Sequence, residues 1–439
     1  MNITDLGEQF ITDTGDRHPS WQAAVRMFSL SLAAMQNGIV SEEDLNRIIV
    51  PTPHKQSPVP YRVICDGLMY GMSGFAEATR NMVYALDKYE VNVMASPADK
   101  KNADNVDVTE TEKGKRIDYL SRVTFMRQKK TVRITMNIPM GIRRHIGDDY
   151  QIAYIMFETQ EFPKKYIDHL KQQCDEIWTP STFNVENIKA AGWDKPIFRM
   201  PLGVDTDQFN PDKTHYPKFW EMPIATLMSQ YYIFLSIMGW SERKGVSILL
   251  DTYFRTFHRQ QDVLLYIKGG WYDQQKAWET VRESLAKSKN SDPPPVFLDF
   301  NIYPTTLMPK LYKAADCFVL PTLGEGWGLN VTEAMAMGLP VIASYNTSMT
   351  DYMTGENSYP IPVRRHDRQP ACDWICSEYK GAFFSFPDPK SLADSMNYLY
   401  ATRIVTDPNG REARKTMKDK YTWTCAAMRW IDRLQHIQL

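Results

Sequence analysis

Cysteine is scarce in this sequence, with 6 in 439 residues. Cys65, Cys174, Cys317, Cys372, Cys376 and Cys425 do not form the dense pattern of a small disulfide-stapled domain. Three of them sit in apolar or helical contexts that suit reduced, buried thiols. His366 precedes Cys372 and Cys376, but these three ligands follow no familiar zinc spacing, and no metal is expected. An excess of one charge is also missing. Lys and Arg number 51 against 52 Asp and Glu, a net charge of -1, so no global field selects nucleic acid or membrane. Long apolar runs are absent too. "VRMFSLSLAAM" near the start is interrupted by Arg26 and is too short for the ~20 residues that span a bilayer. The opening "MNITDLGEQF" has no basic region and does not read as a signal peptide. The expectation is a soluble, cytoplasmic protein without low-complexity tracts.

What is present is alternation. Residues 1–57 read as a helical N-terminal extension and linker: "SWQAAVRMFSLSLAAMQNG" has helical periodicity, "SEEDLNRII" carries a cap serine and acids, and "VPTPHKQSPVP" is proline-rich. From "YRVICDG" onward, β-branched runs alternate with amphipathic helical stretches, which predicts parallel sheets with helices on both faces. The alternation pauses at "TDQFNPDKTHYPKFWEMP" and restarts at "YYIFLSIMGW". We therefore expect two α/β, Rossmann-like domains, over 58–222 and 223–415. The amphipathic segment 416–439 should form a helix that packs back toward the first domain.

"PTLGEGWGLNVTEAMAMGLPVIAS" (321–344) holds the most chemistry. A strand that runs through glycines into a helix presents free amides at the positive end of the helix dipole, which is an anion site suited to phosphate. Gly324, Gly326 and Gly328 keep side chains clear of an approaching diphosphate, with Trp327 and Leu329 framing the turn. Glu325 lies in the loop and Glu333 about one turn into the helix. Helical side chains lean toward the N-terminus, so one carboxylate can reach the hydroxyls on each side of a sugar–diphosphate–nucleoside.

This stretch resembles the paired-glutamate signature of retaining glycosyltransferases of family 4, which have the GT-B fold: two Rossmann-like domains facing a cleft. "EIWTPSTFNVENIKAAG", "PIFRMPLGVDTDQFNP", "SIMGWSERKGVSILLDTYFRTF" and "LMPKLYKAADCFVLPT" are similar to other segments of that family, in the right order over roughly 60–345. The resemblance implies that Glu325 contacts the donor sugar and Glu333 the ribose. It implies that Lys244 neutralises the diphosphate. The family's arginine position is Trp240 here, and Arg243 is the candidate for that charge. Gly71 and Gly74 resemble the first domain's glycine loop facing the donor phosphates. Where many relatives have a histidine, this sequence has Glu158, the candidate to position the acceptor hydroxyl. The base is expected against the backbone of "LDFNI" (298–302).

The resemblance implies transfer with retention from a nucleotide-diphosphate sugar, such as a UDP- or GDP-sugar. Cations and dipoles would serve in place of a metal, and no cofactor is expected. The acceptor stays open between a glycan, a lipid-linked sugar and another hydroxyl compound. Residues 113–145 are strongly basic, and Arg127, Lys129, Lys130, Arg143 and Arg144 are candidate acceptor contacts. An anionic acceptor fits them, including a modified base in DNA, an acidic glycan or a lipid headgroup. Readings of other classes are a GT-B epimerase or phosphorylase, and a catalytically silent nucleotide-sugar binding module.

Overall fold

The computed structural model describes residues 57–99, 111–122, 130–270, 274–370 (backbone only over 365–370), 383–404 and 407–439. The expected N-terminal extension (1–57) lies outside them except for its last residue.

The first domain is a parallel sheet of strands β1 (Arg62–Gly67), β2 (Val93–Pro97), β3 (Thr131–Met136), β4 (Tyr150–Tyr154), β5 (Glu176–Thr179) and β6 (Ile197–Arg199), in the order β2-β1-β3-β4-β5-β6. Its helices are α1 (Gly74–Lys88), α2 (Glu112–Arg122), α3 (Lys165–Gln173) and α4 (Thr182–Ala190). The second sheet has β7 (Tyr232–Ile237), β8 (Val263–Lys268), β9 (Val296–Asp299), β10 (Cys317–Leu320), β11 (Val341–Ser344) and β12 (Tyr359–Ile361), in the order β12-β11-β10-β7-β8-β9. Its helices are α5 (Val246–Thr256), α6 (Gln274–Ser288), α7 (Met308–Lys313) and α8 (Leu329–Ala336). Every residue of β3 and β8 is buried, as expected of parallel strands covered on both faces. An antiparallel pair, β13 (Val363–Pro370) and β14 (Phe383–Pro387), is a feature the alternation did not announce. Helices α9 (Pro389–Thr402), α10 (Pro408–Lys420) and α11 (Trp423–Gln435) follow.

The two passages between the domains run side by side. Val204 donates its amide to the Tyr421 carbonyl at 2.8 Å and forms a parallel bridge with Thr422. Gly203 permits this contact, since a Cβ there would stand 2.4 Å from the Trp423 nitrogen. The helical break falls at Tyr421, later than residue 415, because α10 continues to Lys420 and packs on α8. Thr422 then caps α11 through the Cys425 amide. Helix α11 lies on α1 of the first domain. Arg433 grips the fully buried Glu176 of β5 through Nε and Nη2, at 3.0 and 2.6 Å. The Tyr61 hydroxyl donates to the Leu434 carbonyl.

Candidate active site

In open parallel sheets the loops at the carboxyl ends of the strands form the ligand crevice. The loops after β1 and β4 and those after β7 and β10 meet there. Gly245 ends the turn after β7 with φ +75°, and a Cβ on it would fall 1.9 Å from the Pro321 carbonyl oxygen. Glycine is therefore required for the loops after β7 and β10 to touch. Their contact brings Lys244 Nζ to 2.7 and 2.9 Å from the two carboxylate oxygens of Glu325. Arg243 donates from Nη1 to the Gly324 carbonyl at 2.6 Å and stands 3.6 Å from Glu325 Oε1 and 3.9 Å from Glu158 Oε1. Thr322 Oγ1 lies 3.0 Å from Glu325 Oε1, and the Glu325 amide donates to Thr347 Oγ1 at 3.0 Å.

The cluster is charged and enclosed. Burial works to raise the Glu325 carboxyl, but the Lys244 ammonium and then the Arg243 guanidinium outweigh it and hold it below its usual range. Desolvation lowers Lys244, with Glu325 opposing. The two groups expected to serve sugar and diphosphate separately are thus paired with each other. Trp240, at the arginine position of the resembled family, is almost buried, its ring centroid 6.4 Å from that of Phe300. The guanidinium near the cluster comes from Arg243.

The glycines of the signature have a task the sequence did not reveal. A Cβ on Gly324 would lie 2.1 Å from the Glu158 carbonyl oxygen, and one on Gly326 would lie 2.7 Å from Met156 Cβ. The space they leave open is filled by the segment after β4. They let the domains close on each other, in addition to any room they leave for a ligand. Gly328 starts α8 in the left-handed region, at φ +88°. Trp327 is buried against Tyr352 and Tyr421, and Tyr352 donates its hydroxyl to the Trp327 carbonyl at 2.7 Å. Trp327 is a core residue of the turn.

Glu333 is partly exposed at its surface yet hemmed in by protein, and it accepts from the Tyr312 hydroxyl at 2.7 Å. Burial pushes its carboxyl up to about 8; the Tyr312 hydrogen bond opposes this and the Glu77 charge adds to it. The turn after β9 is set by Asp299, which accepts from the hydroxyls of Tyr266 and Tyr303 and from the Asn301 amide.

Across the cleft, Gly74 opens α1 opposite Leu329, whose Cδ1 is 3.8 Å from where a Gly74 Cβ would be. Gly71 departs from expectation. The amides of Met69, Tyr70 and Gly71 all donate to the Asp99 carboxylate, at 2.7, 2.9 and 2.7 Å. Consecutive N–H groups form an anion-binding nest, and here a carboxylate of the chain itself occupies it. Arg80 locks the other side of the loop through the Met69 and Gly71 carbonyls, at 2.7 and 2.6 Å.

Two of the candidate acceptor contacts, Lys130 and Arg144, stand away from this crevice. Arg127 and Lys129 lie outside the described residues. Lys130 precedes β3 and donates to the Leu439 carbonyl, and Arg144 pairs at 2.8 Å with Asp175, just before β5. Both positions belong to the amino ends of their strands, opposite the crevice. Arg143 donates to the Ile142 carbonyl at 2.8 Å. Three cations of the basic run are matched by acids from elsewhere in the sequence: besides Arg144, Arg116 pairs with Asp87 and Arg133 with Asp148, at 2.7 and 2.5 Å. A single sequence gives no signal for Asp99, Tyr312 or Thr347, which bond to site residues only through the fold.

Residues 229–401 match the family model of glycosyl transferases group 1. The lipopolysaccharide core biosynthesis mannosyltransferase LpsB of Rhizobium meliloti is 29% identical over 170 residues, 38% of this chain and 45% of the relative. Mannosylfructose-phosphate synthase of Agrobacterium fabrum is 25% identical over 210 residues, 46% of this chain and 45% of the relative. The chain thus spans less than half the length of these curated relatives. Among solved structures, Anabaena HepE in complex with UDP superposes with a TM-score of 0.58 at 11% identity, over 86% of this chain and all of that one. Sucrose-phosphate synthase from Thermosynechococcus elongatus gives 0.57 at 14% identity, over 85% of this chain and 98% of that one. The fold is GT-B, and its second domain matches the group 1 glycosyl transferases.

Proposed function

We propose that the chain is a retaining, metal-independent glycosyltransferase that moves a sugar from a nucleotide-diphosphate donor, such as a UDP- or GDP-sugar, to an acceptor hydroxyl. The observation that carries this reading is the Lys244–Arg243–Glu325 cluster beside the amino end of α8. An arriving diphosphate shares the Lys244 ammonium with Glu325 and meets the Arg243 guanidinium and the helix dipole. The bond from the anomeric carbon to the diphosphate breaks as the acceptor oxygen bonds to that carbon on the same face. The acceptor proton passes to the departing diphosphate oxygen. These fixed cations neutralise the leaving group where other enzymes use a divalent ion. Glu325 holds donor hydroxyls, Glu333 holds the ribose, and Glu158, near Arg243, positions the acceptor.

The reading of DNA as acceptor draws less support from the described residues, since Arg116, Arg133 and Arg144 are paired with acids and Lys130 and Arg144 lie away from the crevice. The test is donor hydrolysis over a panel of sugar nucleotides with and without chelator, with the anomer released read by NMR. Glu325→Gln should lower kcat by about a hundredfold or more while nucleotide affinity persists, a loss typical of removing one group that acts at the transition state. A fully active variant removes Glu325 from the mechanism. Loss of activity with chelator, or an inverted product, overturns the corresponding part of the proposal.

A further inference from the structure

A second cavity, of about 520 Å³, lies between the domains on the side of β6 and β11. Its size falls within the range of small-molecule sites, roughly 300–1,000 Å³. The first domain contributes Gln160, Phe183, Glu186 and Arg199, and the second contributes Tyr345 and Thr347 among others. The Glu158–Gly324 contact involves the segment just before Gln160.

The chemistry of the lining is selective. Arg199, a cation of the wall, is paired with Asp351 at 3.0 Å, and Asp351 also accepts from the Thr182 amide and hydroxyl at 3.0 and 3.1 Å. Glu186 has no side-chain partner among the described residues, so the surplus charge of the described lining is negative, which disfavours an anionic ligand. Gln160 donates from Nε2 to Asn346 at 2.7 Å, which leaves its carbonyl oxygen as an acceptor. Tyr345 is 43% exposed and its hydroxyl has no described partner. Unused acceptors beside an exposed aromatic ring suit a neutral polyhydroxyl compound: hydroxyls donate to Glu186 and Gln160 while a C–H face covers the ring.

We propose that this cavity is a second ligand site, for a saccharide, distinct from the donor site and bridging the two domains. It has a direct link to the cluster. Thr347 lines the cavity and accepts from the Glu325 amide at 3.0 Å. Thr347 is also a β-branched residue held at φ +51°, a strained conformation that the Asn346 side chain supports by accepting from the Thr347 amide at 2.9 Å. A saccharide that ties Tyr345 and Glu186 together fixes both this turn and the approach of the domains.

The experiment is saturation-transfer NMR on the whole protein with UDP present to occupy the donor site. The probes are methyl α-D-mannopyranoside, methyl α-D-glucopyranoside and maltose. Transfer to at least one probe is expected, and Glu186→Ala and Tyr345→Ala should each weaken its binding about tenfold, as loss of one hydrogen bond to a charged group or one ring contact does. Donor hydrolysis by both variants should match that of the parent. Absence of transfer from every probe, or equal transfer in both variants, overturns the inference. Absence of donor hydrolysis in the parent overturns the proposed function instead.

Discussion

The Glu333 carboxyl should make donor binding release a proton. Its pKa is pushed up to about 8, chiefly by burial, with the Tyr312 hydroxyl pulling the other way. In the proposed role, where Glu333 holds the ribose, the hydroxyl pair needs an acceptor-only carboxylate, so the donor would select the ionised form. With the carboxyl at about 8, only about one molecule in ten is ionised at neutral pH. Apparent affinity at neutral pH is then about tenfold below its alkaline limit. The direction follows from the raised value: affinity climbs as pH rises, by about a decade per unit below the pKa, and levels off above it. The same shift means that the ligand-free native state holds more protons than the unfolded chain between the ordinary glutamate range and about 8, so its stability falls as pH rises through that window. Calorimetry with an intact sugar nucleotide, whose diphosphate diester does not titrate here, should show about 0.9 proton released at neutral pH, seen as a heat that varies with the buffer's ionisation enthalpy. Glu333→Gln should flatten the profile, and Tyr312→Phe should move it to higher pH. An affinity constant across the window, or a heat independent of buffer, refutes the reasoning.

Other perturbations follow from contacts already described. Gly324→Ala places a methyl 2.1 Å from the Glu158 carbonyl, so the domains must separate; small-angle scattering should show a larger radius of gyration and donor hydrolysis should fall. Arg433→Ala removes the countercharge of the fully buried Glu176 carboxylate, leaving it only the Tyr150 and Trp178 hydrogen bonds, and a denaturant titration should show a loss of about 3 kcal/mol, with Arg433→Lys intermediate. Transfer activity should vary little with added salt, because Arg116, Arg133 and Arg144 are already paired; a steep decline would restore a polyanionic acceptor.

Much of the architecture could be read in the residues because periodicity and glycine punctuation are local properties. The alternation announced both parallel sheets, and the order of resembling segments pointed to GT-B. Lys244, Arg243 and Glu325 do meet, since each lies at the end of a strand whose neighbour the topology fixes. What escaped was pairing across long separations. Part of the basic run looked unmatched because Asp87, Asp148 and Asp175 lie outside it in sequence. Gly71 looked free because Asp99, which fills its nest, stands across a helix and a strand. The residue 415 boundary missed because a break between two helices that pack on different domains leaves only a cap threonine as its mark.

The grip of α11 on the first domain also sets an order of assembly. Arg433 and Glu176 are 257 residues apart in sequence. While the chain emerges from a ribosome, the first sheet is made long before its covering helix, and Glu176 waits with its charge uncompensated. The first domain therefore reaches its final stability only after the second has been synthesised. A nascent chain halted between them should be open to proteases and chaperones, and cutting the chain at the junction should yield a first half that does not stand alone.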